Sequence, residues 1–253
     1  MGWALRRVPE TDHVTFEPLE PSAPVAEAEV IWAAFGSDGR RWVALRRDEE
    51  TQRWRLRIGT VDGPEQDVPE VMTQGMIAPA LSVDGRWLGW GNWLRRDAHV
   101  LDLLETNARP VNFPVESSAT VAFSPDNRWF VVCGGADATF FEVGSWQRVH
   151  TVLRVPAGAL AISAAFTSDS RMCALTLPPN QVQLVDAKTG TELITLQTPE
   201  RHLFGSLAFC PGDQLLAVVS ADHHVLLWDL PKLRGKLGEL GLDSSEPASA
   251  AAR

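Results

Sequence analysis

The chain has 253 residues, 45% of them hydrophobic and 22% charged, with 32 acidic against 23 basic side chains and a formal charge of −9. That composition suffices for a sizeable core, in one large all-β domain or two ordinary ones. A surface of this sign repels phosphate backbones, which argues against broad nucleic-acid binding, and no window reaches the roughly 18 apolar residues of a membrane span.

From residue 33 onward one short pattern recurs five times: an apolar run ending in Phe or Leu, a turn of small and acidic residues, then a second apolar run. The copies read A-A-F-G-S-D-G-R-R-W-V-A-L from Ala33, P-A-L-S-V-D-G-R-W-L-G-W from Pro79, V-A-F-S-P-D-N-R-W-F-V-V from Val121, A-A-F-T-S-D-S-R-M-C-A-L from Ala164 and L-A-F-C-P-G-D-Q-L-L-A-V from Leu207. Their anchors, Phe35, Leu81, Phe123, Phe166 and Phe209, are spaced 46, 42, 43 and 43 residues apart. Such a period marks a repeat architecture. Pro presets φ, Asp bonds its own backbone, and Gly or Asn accepts positive φ, so each copy predicts a β-hairpin.

A third strand follows in four units: Val100–Leu104, Phe140–Gly144, Val182–Asp186 and Val225–Asp229. A fourth is predicted over Gln147–Leu153 and Thr191–Leu196, the latter behind the turn Lys188-Thr189-Gly190. Four antiparallel strands in about 43 residues is the size of one propeller blade. No amphipathic helical period precedes residue 230, which argues against an α/β fold. Leucines at 230, 233, 237, 240 and 242 then form an apolar stripe on a short helix, weakened by Gly235 and Gly238. The expected organisation is a propeller over 1–243 with units near 30–75, 76–118, 119–161, 162–204 and 205–230, a helix over 231–242 and a disordered tail over 244–253.

The repeats resemble WD repeats over about residues 30–230, most specifically in S-A-D-H-H-V-L-L-W-D from Ser220 to Asp229. The end of the chain also resembles bacterial multidomain and kinase-associated WD-repeat proteins. The resemblance implies an all-β, WD-type propeller of about five four-stranded blades. It also implies a structural hydrogen-bond network of Asp, Trp, Ser and His, which would fall here on Asp97, Asp137, His202, Ser220, Asp222 and Trp228. Only the last unit has all four residue types. Five blades are few for the family, and the last unit ends after its third strand. Residues His13–Leu19 or Trp3–Val8 are the candidates for the missing outer strand. Either the ring closes with five blades, or it is completed by another copy or another protein.

Catalytic signatures are lacking: there is no G-x-S-x-G elbow, no kinase motif and no phosphate-cradling glycine loop. His223-His224 beside Asp222 read as solvated turn residues rather than metal ligands. Cys133, Cys173 and Cys210, each in an apolar run and none at C-x-x-C spacing, read as small buried hydrophobes in a reducing compartment. The N-terminal M-G-W-A-L-R-R-V-P-E carries no leader-like apolar stretch, so the expected location is cytoplasmic.

The expected function is therefore a non-catalytic protein-interaction scaffold, with no cofactor, no nucleic acid, no membrane and another protein as partner. The loops between second and third strands in the first two units, R-R-D-E-E-T-Q-R-W and N-W-L-R-R-D, place Arg46, Arg47, Trp93, Arg95 and Arg96 on one rim as the candidate partner-binding residues. The alternatives are a propeller hydrolase or lyase with a site at the central axis, or a fragment of a larger signalling protein. The enzymatic reading needs inward-facing His, Asp or Glu on the first strands, which are instead almost wholly apolar or small.

Overall fold

The computed structural model describes residues 2–7, 14–19, 30–35, 40–47, 54–68, 76–105, 107–153, 163–177, 180–199, 203–221 and 224–241. The N-terminal strands β1 (Gly2–Arg7) and β2 (Val14–Leu19) pair with each other. Sheet 1 then comprises β3 (Val30–Phe35), β4 (Arg41–Arg47), β5 (Trp54–Thr60) and β6 (Glu65–Asp67). Sheet 2 comprises β7 (Met76–Leu81), β8 (Trp87–Asn92), β9 (Asp97–Asp102) and β10 (Val111–Pro114). Sheet 3 is β11 (Thr120–Phe123), β12 (Trp129–Cys133), β13 (Asp137–Glu142) and β14 (Arg148–Leu153). Sheet 4 is β15 (Ala164–Phe166), β16 (Met172–Leu177), β17 (Gln181–Asp186) and β18 (Glu192–Gln197). Sheet 5 has β19 (Phe204–Phe209), β20 (Leu215–Ser220) and β21 (Val225–Asp229), and helix α1 (Leu230–Glu239) follows directly.

Each sheet is an antiparallel meander whose first strand lies innermost. Residues of β3, β7, β11, β15 and β19 together line one central cavity of about 480 Å³. The sheets are therefore radial blades around a common axis, a five-bladed propeller.

The hairpin turns explain why this sequence folds so. Ser82, Ser124 and Thr167 each donate a hydroxyl to the Asp two residues on, at 2.6, 2.6 and 2.7 Å. Each hydroxyl also accepts the amide that opens the next strand, from Trp87, Trp129 and Met172. The turn closes through positive φ at Gly85, Asn127, Ser170 and Asp213.

Those positive-φ residues also link neighbouring blades. Asn127 Oδ1 accepts from Val83 N at 2.9 Å, Ser170 Oγ from Asp126 N at 3.0 Å, and the Asp213 carboxylate from Ser168 N at 2.9 Å. Gly85 has no side chain for this role. Arg41 of the preceding sheet fills the place a Cβ would take and donates to Val83 O at 3.3 Å.

The core is divided among the blade interfaces. Val43, Leu45 and Leu56 meet Leu81, Leu88 and Trp90 between sheets 1 and 2. Val100 and Phe113 meet Phe123 and Phe130 between sheets 2 and 3. Trp129, Val131 and Phe140 meet Phe166, Cys173 and Val185 between sheets 3 and 4. Leu184 and Leu196 meet Leu216 and Val218 between sheets 4 and 5. Among the described residues no such cluster joins sheet 5 to sheet 1. Gly91 permits one of the close approaches, since a Cβ there would run into the carbonyl of Ala119, the residue before β11.

Several details differ from the sequence reading. The N-terminal strands, expected as an outer strand for the last blade, pair with each other, because a hairpin satisfies both backbones locally. Strands β9 and β13 begin at Asp97 and Asp137 themselves, three residues earlier than the apolar runs, because backbone pairing continues past them. The helix stops at Glu239, where Gly241 takes positive φ, so Leu240 is an exposed cap rather than part of a buried stripe. Its start is fixed by Asp229, whose carboxylate accepts from Lys232 N at 2.9 Å. Cys133 and Cys173 are buried, and burial pushes both thiols up. Cys210 is only half-buried, although it occupies the turn position that Ser82, Ser124 and Thr167 hold fully buried in sheets 2 to 4. The tail over 244–253 lies outside the described residues.

Candidate interaction site

The β8–β9 loop is built on Asn92. This residue is buried, and its Oδ1 accepts from Leu94 N at 2.8 Å and Arg95 N at 2.9 Å, an Asx turn. Its backbone oxygen accepts from Ala119 N at 3.2 Å, and Arg96 O accepts from Val115 N at 3.0 Å. Both ends of the loop are thus tied to the segment that leads into sheet 3. Arg96 turns the chain with φ 55°. Between these ties, Trp93 and Leu94 stand 58% and 62% exposed, and Arg95 and Arg96 are exposed beside them. A Trp–Leu pair in water on a fastened loop is an apolar protrusion that folding leaves uncovered.

Arg46 ends up in a different setting. It sits near the end of β4, so the topology brings it to the same side of the disc as the β8–β9 loop. Its guanidinium, however, pairs with Glu65 at 3.2 Å and lies 5.7 Å from the Trp42 ring centre. It is one of a ladder on the outer flank of sheet 1, where Arg55 and Arg57 pair with Asp67 and Arg57 also pairs with Glu65. Arg47 closes β4, and its side chain lies outside the described residues. Leu94 is the residue that sequence reasoning missed. The signal for it was the apolar pair Trp93-Leu94 within a polar loop.

The structural-network positions are also distributed. Asp97 accepts from Asn112 Nδ2 at 3.3 Å and lies 3.2 Å from His99 Nε2, while His99 stacks on Trp90 with ring centres 5.2 Å apart. Asp137 lies in a groove between sheets 2 and 3, where burial and the nearby Glu116 carboxylate hold its carboxyl above the ordinary value against the opposing pull of Arg148. Ser220 is buried and bridges His224, accepting from its N–H and donating to its carbonyl at 3.2 Å each. Trp228 meets Phe204 edge-on, ring centres 6.0 Å apart. Asp222, His202 and His223 lie outside the described residues. The turn hydroxyls and the blade-to-blade bonds form a second network. Its sequence signal is Ser or Thr two residues before the turn Asp in sheets 2 to 4.

The central cavity is lined by Ala33, Phe35, Leu81, Ala122, Phe123 and Phe166 and by similar apolar side chains from all five sheets. Among the described residues no three His, Cys, Asp or Glu side chains converge to hold a metal ion. No described helix is long and apolar enough to cross a membrane.

Fold and site together define an all-β propeller with an apolar axis and a rigid, aromatic-tipped loop on one side of the disc. The family model for the WD domain, G-beta repeat, matches residues 116–141 and 191–229. These spans cover the first three strands of sheet 3, and the outer strand of sheet 4 with all of sheet 5. The chain is a β-propeller that carries WD-type repeats over these spans. No curated protein matches it.

Proposed function

We propose that the protein is a non-catalytic interaction scaffold whose partner protein docks on the β8–β9 loop. The observation that carries this reading is the exposure of Trp93 and Leu94 on a loop that Asn92 and the start of sheet 3 hold fixed. Trp beside Arg is the composition of interface hot spots, and a preorganised loop loses little entropy on binding. Arg95 and Arg96 add cationic donors for an acidic rim on the partner. The axis supports the same reading, since a hydrolase or lyase built there requires inward acids or histidines and the cavity is lined by alanine, phenylalanine, proline, leucine and valine. The test is affinity capture from a lysate of the source cell with the wild-type chain and with Trp93→Ala combined with Arg95→Ala. Partner recovery is expected to fall at least about tenfold, the loss of one hot spot. Unchanged recovery overturns the proposal.

A further inference from the structure

The outer strands meet the next blade in different ways. Strand pairing gives the outer strands of sheets 2, 3 and 4 one equivalent position that looks towards the next sheet. It holds Val111, His150 and Ile194, set opposite Val100, Phe140 and Leu184. His150 lies on the Phe140 ring and bonds through Nε2 to the Ala187 carbonyl of sheet 4 at 3.0 Å. Ile194 joins the cluster that Leu230 and Leu233 of helix α1 complete between sheets 4 and 5. Val111 has neither arrangement and is 36% exposed. Strand β10 is also short, with four residues against six in β14 and β18. The flank of sheet 3 is therefore left open beside it, as a groove of about 820 Å³.

The groove has a direction. Asp137, Thr139 and Phe141 alternate along β13, so all three face it, in a row about 13 Å long. At the end near the β8–β9 loop, Asp137 and Glu116 stand beside Leu153, which is 72% exposed. Val115 N, which donates to Arg96 O, ties this end to that loop. At the other end Phe113 lies 4.7 Å from Phe141 and 6.0 Å from Trp146 between ring centres, an apolar floor with Arg148 exposed beside it. The push of Glu116 on the Asp137 carboxyl exceeds the pull of Arg148, so the acidic end keeps uncompensated negative charge. Strand β10 is short and ends in Pro114, which lacks an amide N–H, so recognition here falls on side chains rather than on strand addition. We infer that the groove takes an extended segment of a partner protein, about five residues long, with a Lys or Arg against Glu116 and Asp137 and apolar side chains at alternate positions on Leu153 and the aromatic floor. A basic segment of another protein fits this end better than a second copy of the chain, whose formal charge is −9. The inference rests on the scaffold reading but not on the β8–β9 loop as the docking point.

The test uses the full chain and a phage-displayed library of random decapeptides. Peptides selected on the wild type are expected to share a Lys or Arg followed by apolar residues at alternate positions. The affinity of one such synthetic peptide is then measured by calorimetry. It is expected to fall at least about tenfold in Glu116→Gln combined with Asp137→Asn, and by a similar factor in Leu153→Asp. Trp93→Ala combined with Arg95→Ala is expected to leave it unchanged, which separates this groove from the loop. All the replaced groove side chains are at least partly exposed, and if Leu153→Asp does not fold, the Glu116→Gln, Asp137→Asn variant decides alone. Failure to enrich any peptide, enrichment of peptides without a basic residue, or an affinity that the groove variants leave unchanged overturns the inference. A wild-type dimer that Leu153→Asp converts to monomer also overturns it and gives the groove to a second copy.

Discussion

Sheet 3 and sheet 5 are built from the same repeat, yet only one is enclosed. In sheet 3 all five residues of β12 are buried, Phe130 and Val132 towards sheet 2 and Trp129, Val131 and Cys133 towards sheet 4. In sheet 5 the alternation survives only halfway: Leu216 and Val218 are buried against sheet 4, while Leu215, Ala217 and Val219 on the other face are not. Strand β21 has no buried residue, whereas β17, its counterpart in sheet 4, has four in a row. The lesson concerns where a blade's stability comes from. The hairpin forms locally, but half of a blade's apolar contact belongs to whatever stands on its other side.

Five substitutions at three kinds of position sharpen or break this contrast. The largest effect is expected at the anchors. Phe123→Ala removes a ring packed between sheets 2 and 3 and is expected to cost about 3–5 kcal/mol, read from the midpoint of urea unfolding. Phe35→Ala, at the same repeat position but in water, is expected to cost less than about 1 kcal/mol. Equal costs at the two sites would break the contrast between enclosed and open flanks.

Next comes the turn. Ser124→Ala leaves the Trp129 amide without its acceptor in a buried turn and is expected to cost about 1–3 kcal/mol. Cys210→Ala, at the equivalent turn position in sheet 5, is expected to change stability by less than about 0.5 kcal/mol.

The smallest effect is electrostatic. Burial and then Glu116 raise the Asp137 carboxyl in the folded chain, so the protonated form is favoured there. That contribution is fully present below the ordinary carboxylate range and is lost as pH rises through the raised value. Asp137→Asn is therefore expected to stabilise the chain at pH 7 by less than about 1 kcal/mol, the site being open to solvent. The gain should disappear on acidification below the ordinary aspartate value. A pH series of thermal midpoints checks it, and a gain that persists in acid would assign the effect to something other than charge.

Much of the architecture was legible because a hairpin is a local object. The turn residues, the apolar alternation and the period of about 43 residues are written contiguously, and they specify both the unit and its number. The candidate site was legible in part. Trp93, Arg95 and Arg96 stand together on one loop and are exposed as expected. Arg46 reads the same in sequence, yet it is drawn into an ion-pair ladder by Glu65, a residue two strands away.

The chain's letters alone thus determined five hairpin-based units, their order and the absence of acids from the strands nearest the axis, since each rests on neighbours in sequence. Tertiary structure alone decided which arginines stay exposed, which anchors are covered and how each turn clasps the next blade. The clasps depend on groups about 44 residues apart meeting across an interface and the Arg46–Glu65 pair on residues 19 apart, and pairing at such distances leaves no local pattern to read.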